Sequence, residues 1–439
     1  MDRAKKIRDQ TAEIGVIGLG YVGLPLALSA VESGFPVTGF DIDPAKVTAL
    51  TAGESYIAYI GNEAVARARN TGRFSASADF AALERMDVIA VCVPTPLTPQ
   101  REPDMTFVVR TAEEIAGRLQ PGQLVVFEST TYPGTTAELV RPILEHGGLK
   151  SGRDFFLAYS PEREDPGNPD FSTPRIPKVV GGDGETARDL AVAFYEKIVP
   201  AVVPVSGTET AEAVKLTENI FRAVNIALVN ELKVIYDAMG IDVWEVIEAA
   251  KTKPFGYMPF YPGPGLGGHC IPIDPFYLTW KAREYDISTR FIELAGEVNA
   301  AMPRYVVERL AEGLSDRFGV GLKGAKILVM GVAYKKNVDD VRGSASFKII
   351  RMLQTRGAKV AYHDPFVPAI KQTRDYPELA GMESMAWDPK TLSGFSAALI
   401  LTDHDGVDYE TLLRDVPLVV DTRNVAAALA PDADNVLKA

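Results

Sequence analysis

The chain has 439 residues, 46% hydrophobic and 24% charged, so it can bury a globular core and is too long for one ordinary domain. Its net charge of −12, with no long Lys/Arg run, argues against a nucleic-acid partner. Two cysteines, Cys92 and Cys270, exclude a disulfide framework, and four scattered histidines form no cluster with metal-ligand spacing, so no metal is expected.

Residues 1–13 are charged and lack an apolar centre, so a secretory leader is not expected. No apolar run approaches the roughly 18 residues that span a bilayer. A cytoplasmic protein without a membrane partner is the reading. Residues 14–17 read as a buried strand, 24–33 as the helix after it, and 37–41 as a second strand. Further strands fall at 88–93 and 124–127, each followed by a turn rich in Pro, Thr or Ser. Strands alternating with helices predict a parallel, doubly wound sheet. From 210 to 250 strand signals vanish and apolar residues recur at helical spacing, which predicts two helices broken near Gly240-Ile241-Asp242. A Gly/Pro-rich loop (254–275) and another helix (291–318) follow. Strands at 326–330, 359–363, 397–401 and 418–420, with a helix at 347–355, predict a second, smaller α/β domain.

Two motifs carry chemistry. Gly18-Leu19-Gly20-Tyr21-Val22-Gly23 matches G-x-G-x-x-G between a strand and a helix, and Asp41 ends the next strand. Glycines there let the backbone approach a pyrophosphate at a helix N-terminus, and the acid accepts from a ribose diol. An acid at 41 favours NAD over NADP; the motif alone leaves FAD open. The second motif is the loop from Pro262 to Pro275, where Cys270 stands among glycines. That setting suits a nucleophile approached by a ligand, although a free cysteine is more often a small buried hydrophobe. Cys92, inside an apolar strand, reads as structural. Lys215 and Asn219, four apart on a helix, share a face and could meet a developing oxyanion; by themselves they read as a solvated lysine and a polar neighbour.

Taken in order, six pieces resemble the UDP-glucose/GDP-mannose dehydrogenase family across nearly the whole chain. They are Gly18–Gly23 with Asp41; Val93-Pro94-Thr95-Pro96; the run Glu128 to Gly134; Ser160-Pro161-Glu162; Lys215 with Asn219; and Gly267-Gly268-His269-Cys270 with Asp274. Lys335 and Arg342 extend the match. Within the family the runs 159–168 and 253–263 are similar to bacterial UDP-N-acetylglucosamine 6-dehydrogenases. The resemblance implies two Rossmann-like doubly wound domains joined by a central helical dimerisation region. The expected boundaries are 1–205 for NAD, 206–318 for the helices and the cysteine loop, and 319–439 for the UDP-sugar.

It further implies a homodimer and a four-electron oxidation of the sugar C6 alcohol by NAD, through a thiohemiacetal and thioester on Cys270. UDP-N-acetylmannosamine, UDP-N-acetylgalactosamine and UDP-glucose are the alternative substrates. By resemblance, Thr130 and Asp274 position a water or take its proton, and Glu162 serves acid–base steps; which acid is the base stays open. Gly18 to Gly23, Asp41, Thr95, Thr130 and Arg342 would contact NAD. Glu162, Lys215, Asn219, Gly267, Lys335 and Arg423 would contact the UDP-sugar.

Overall fold

The computed structural model describes residues 3–57, 59–163, 175–268, 271–373 and 375–439. The chain forms two compact units, Met1–Asn219 with Ile273–Ser288, and Ile220–Pro272 with Thr289–Ala439.

The first unit is built on an eight-stranded sheet. Its strands are β1 (Ile14–Ile17), β2 (Val37–Phe40), β3 (Phe74–Ser77), β4 (Val88–Val91), β5 (Leu124–Phe127), β6 (Phe156–Tyr159), β7 (Lys178–Gly182) and β8 (Val202–Pro204). Their order is β3-β2-β1-β4-β5-β6-β7-β8, and every neighbouring pair is parallel except β6 with β7. Ile14 pairs with Val37 on one side and Val88 on the other. β1, β4 and β5 are buried throughout because helices cover both faces, so they read as unbroken apolar runs. Val16, Leu24, Phe35 and Phe194 fill one face, and Ile17, Phe40, Ile89 and Phe127 the other. The chain winds outward from β1 to β3, then returns to lay β4 beside β1. That reversal opens a crevice past the C-terminal ends of β1 and β4, the usual ligand position in such sheets.

The expected strand at 37–41 ends at Phe40, which leaves Asp41 just beyond it. The strand at 88–93 ends at Val91. The helix after β1 is Gly23–Glu32. β3, β7 and β8 carry polar, glycine or proline residues, which weakens their strand signal. The 210–250 region is two helices, Thr208–Ala238 and Val243–Ala250. Gly240 takes a left-handed φ of 71° between them, and Asp242 caps the second by accepting from Trp244 N.

The second unit carries a five-stranded parallel sheet of β9 (Lys326–Met330), β10 (Lys359–His363), β11 (Ala397–Ile400), β12 (Val419–Asp421) and β13 (Val436–Lys438). The order is β10-β9-β11-β12-β13, with the same reversal beside the first strand. Helices Arg290–Phe318 and Ala345–Thr355 pack on it through Val306, Leu310, Phe347 and Ile350. No described helix is long and apolar enough to cross a membrane.

Candidate functional site

The glycine loop sits at the first crevice, and its three glycines do different work. Gly18 has φ 87°, and a Cβ there would lie 2.6 Å from Cys92 O. A Cβ on Gly23 would lie 1.9 Å from Gly18 O. These two let the loop close on β4 and on itself. A Cβ on Gly20 would meet nothing within 4 Å, so the middle glycine faces open space where an anion can approach the backbone. Asp41 accepts from Leu19 N at 2.9 Å and Lys46 Nζ at 3.0 Å through Oδ2, and from Asp43 N through Oδ1. It is buried and fixed in direction. A cavity of about 590 Å³ runs past Gly18, Gly20, Asp41, Lys46, Cys92 and Pro94. Leu19 is fully buried, and Tyr56 donates to its carbonyl. Tyr21 stacks on Tyr59 at 6.1 Å. Thr95 is buried next to Pro96, whose carbonyl accepts from Tyr277 Oη. Cys92 is buried, as its strand predicted.

The helix Thr208–Ala238 organises a second group of side chains in this unit. Glu212, Lys215 and Asn219 are spaced three and four apart, so they line one stripe, and all three are buried. Lys215 donates its ammonium to the main-chain oxygen of Glu162. Asn219 donates to the carboxylate of Asp274. Asp274 opens the helix Asp274–Ala282, where a carboxylate suits the dipole. Glu212 binds the turn after β5, accepting from Gly134 N at 2.7 Å, Thr136 N at 2.9 Å, Thr136 Oγ1 at 2.6 Å and Thr131 Oγ1 at 3.3 Å. Burial pushes its carboxyl up to about 7, against these hydrogen bonds. Thr130 lies in the same turn, half-buried, between Thr131 and Ser129, whose hydroxyl holds Val93 O. The stripe thus brings together Lys215, Asn219, Asp274 and Glu162.

Sequence reasoning missed Glu212, and it missed a buried charge cluster at the start of β7. Lys178 pairs there with Glu128 and, at 3.4 Å, with Glu162. Glu128 stood in a quoted motif, but only its neighbour Thr130 was singled out. Nothing in the local sequence marks Lys178 as buried except its place before Val179-Val180.

The second unit repeats the first crevice with other chemistry. Gly331 follows β9 with φ 81°, and its Cβ would press 2.5 Å from Thr402 O, as Gly18 presses on Cys92. Asp364 follows β10, as Asp41 follows β2. Its Oδ2 accepts from Val332 N at 2.7 Å and Ala333 N at 3.0 Å and meets His404 Nε2 at 3.1 Å; its Oδ1 accepts from Phe366 N and Val367 N. His404 Nδ1 in turn accepts from Asn337 N. Lys335 is half-buried on this loop. Arg342 is exposed and forms a fork with Asp340. Arg423 is not a free surface arginine: its Nε donates to Leu401 O, and its guanidinium lies 3.0 Å from where a Cβ on Gly263 would be. Gly267 and Gly268 lie flush on Tyr334, and Gly268 N donates to Arg342 O. The glycines of this loop are therefore demanded by close backbone packing. His269 and Cys270 lie outside the described residues, as do residues 164–168 of the quoted run. Among the described residues no group of His, Cys, Asp or Glu could hold a metal.

Models of the UDP-glucose/GDP-mannose dehydrogenase family match three successive stretches: the NAD binding domain at residues 12–199, the central domain at 209–301 and the UDP binding domain at 328–428. The chain belongs to this family. It is 38% identical over 368 residues to the UDP-N-acetyl-D-glucosamine 6-dehydrogenase of Pseudomonas aeruginosa, covering 83% of this chain and 85% of that one. It is 34% identical to the NDP-N-acetyl-D-galactosaminuronic acid dehydrogenase of Ralstonia solanacearum, covering 98% and 99%. Among solved structures it resembles the UDP-D-ManNAc dehydrogenase of Pyrococcus horikoshii, with a TM-score of 0.85 and 32% identity over 94% of this chain and 95% of that one.

The dehydrogenase is thus an NAD-binding oxidoreductase acting on nucleotide sugars, with a UDP-binding domain at its C-terminal end. The residues of the first crevice fit the cofactor. Gly20 leaves space at the turn into helix Gly23–Glu32, and Asp41 presents a fixed carboxylate at the rim of the cavity.

Proposed function

We propose that this dehydrogenase oxidises the C6 alcohol of UDP-N-acetyl-D-glucosamine to the carboxylate, releasing UDP-N-acetyl-D-glucosaminuronate. The observation that carries the reading is the buried stripe on helix Thr208–Ala238, which holds an ammonium and an amide against Glu162 and Asp274. Such a set suits proton transfer and oxyanion stabilisation at one carbon. NAD, when bound, supplies the hydride acceptor, and two NAD molecules in succession would each take one hydride. In this reading the alcohol first becomes an aldehyde, and the thiolate of Cys270 adds to its carbonyl carbon. Loss of the second hydride leaves a thioester, and water releases the acid and regenerates the thiol. Lys215 and Asn219 stabilise oxygen charge at C6. Thr130, Asp274 and Glu162 handle the water and its protons. Lys335, Arg423 and Gly267 hold the nucleotide sugar, and Thr95 and Arg342 contact the cofactor.

The sugar is supported by the 38% identical P. aeruginosa relative and by the runs 159–168 and 253–263. The UDP-D-ManNAc dehydrogenase likeness supports UDP-N-acetylmannosamine as the second reading. NADH counted per sugar consumed decides between them. Two NADH from UDP-N-acetylglucosamine, and an inactive Cys270→Ala, are expected. Two NADH from another sugar alone would overturn the substrate, and one NADH per sugar would remove the thioester.

We also propose a homodimer. Phe221, Leu228 and Ile235 recur every seven residues on helix Thr208–Ala238 and are 45–50% exposed, an apolar stripe that a second copy would cover. Sedimentation velocity reads this directly; a monomer at micromolar concentration would overturn it.

A further inference from the structure

Lys178 opens β7, a strand buried at every position, and is only 4% exposed. A lysine in such a place is costly unless its charge is matched. One carboxylate would suffice, and Glu128, wholly buried after β5, is that partner. Glu128 is itself held by the hydroxyl of Tyr195, whose ring lies 5.1 Å from the ammonium. The cluster does not stop there. Lys178 also reaches Glu162 Oε2 at 3.4 Å, and the Glu162 side chain keeps 12% of its surface in solvent. One ammonium therefore joins a sealed carboxylate to one at the edge of the unit. Burial opposes the Lys178 charge, but the two carboxylates outweigh it and hold the ammonium above its ordinary range.

Arg163 gives its main-chain N–H to Glu162 Oε1 at 2.7 Å, while its guanidinium turns away to Glu218 and Pro177 O. Lys215 donates to the Glu162 main-chain oxygen. Cys92, Tyr159 and Tyr195 face the Glu128 end of the cluster. Lys178 thus places a buried side-chain cation on the Glu162 carboxylate.

We propose that Lys178 is a positioning residue for the oxidation: it orients the Glu162 carboxylate and keeps it ionised, and Glu128 with Tyr195 holds Lys178 in place. This rests on the acid–base role of Glu162 proposed above.

The test is the pH profile of kcat for NADH formation from the best nucleotide sugar, with thermal unfolding, for Lys178→Met, Lys178→Arg, Glu128→Gln/Lys178→Met and Glu162→Gln. In Lys178→Met, kcat falls about tenfold or more at neutral pH, within the range of acid–base effects. KM for both substrates stays within about threefold, since no binding contact is removed. The acid limb of the profile moves up by about 1–3 pH units, the influence of one nearby charge. Lys178→Arg restores most of kcat. The double variant removes the unpaired buried carboxylate and regains thermal stability, but keeps the displaced limb; it carries the test if Lys178→Met does not fold. A double variant with the wild-type profile would show that Lys178 merely neutralises Glu128 and would overturn the proposal. An impaired Glu162→Gln beside an unaltered Lys178→Met overturns it as well. A Glu162→Gln variant with wild-type kcat and profile instead overturns the role of Glu162 itself.

Discussion

A methyl group added at either of two glycines three residues apart, Gly20 and Gly23, should give opposite results. At Gly20 the new Cβ meets nothing within 4 Å, and the backbone is not in the left-handed region. Gly20→Ala should therefore fold normally and gain about 0.4–1 kcal/mol from a less flexible unfolded chain. Its methyl would occupy the space where the pyrophosphate approaches, so NAD affinity should fall at least about tenfold, which is about 1.4 kcal/mol. At Gly23 the Cβ would stand 1.9 Å from Gly18 O, 3.0 Å from Gly18 C and 3.2 Å from Cys92 Cβ. Two of these are backbone atoms, so the helix start must move. Overpacking of this kind costs about 1–3 kcal/mol or more. Calorimetry with and without NAD, beside fluorescence titration of the cofactor, separates the cases. Gly20→Ala with wild-type affinity would refute the placement of the pyrophosphate over Gly20. Gly23→Ala without loss of stability would refute the packing of the loop.

Glu212→Gln should flatten the pH dependence of stability. A carboxyl raised from 4.5 to about 7 gives a contribution that is complete below about 4.5 and is lost as pH rises through about 7, worth about 3 kcal/mol at most. Urea unfolding at pH 5 and pH 8 reads it, and an unchanged difference between the two would exclude Glu212 as the source. Leu228→Glu, on the exposed apolar stripe, should yield a monomer in sedimentation without loss of the two sheets by circular dichroism; a dimer of wild-type affinity would move the interface elsewhere.

Much of the fold was legible because parallel strands covered on both faces must be apolar throughout. β1, β4, β5, β9 and β11 announced themselves in that way. The break at Gly240 was legible because a left-handed residue and an Asp cap are local signals. β7 was not, since it opens on a lysine and ends on two glycines, and its place depends on pairing antiparallel to β6. At the site, the spacing of Lys215 and Asn219 was visible, but what they hold was not. Their partners, Glu162 and Asp274, lie 53 and 55 residues away in sequence. Glu212 and Lys178 were invisible for the same reason: burial of a charge is decided by distant segments, and a lone Glu or Lys reads as surface.

The two crevices carry the same backbone device and an acid in the same place, yet the acids have different freedom. Asp41 stands at a cavity, whereas Asp364 is enclosed by four main-chain N–H groups and a histidine. A protein that builds one nucleotide cradle twice risks admitting either ligand to either half. Locking the second acid inward occupies its oxygens with the protein's own donors. The histidine that secures this lock, His404, belongs to the same unit as the acid it holds, so the second unit carries its own restraint.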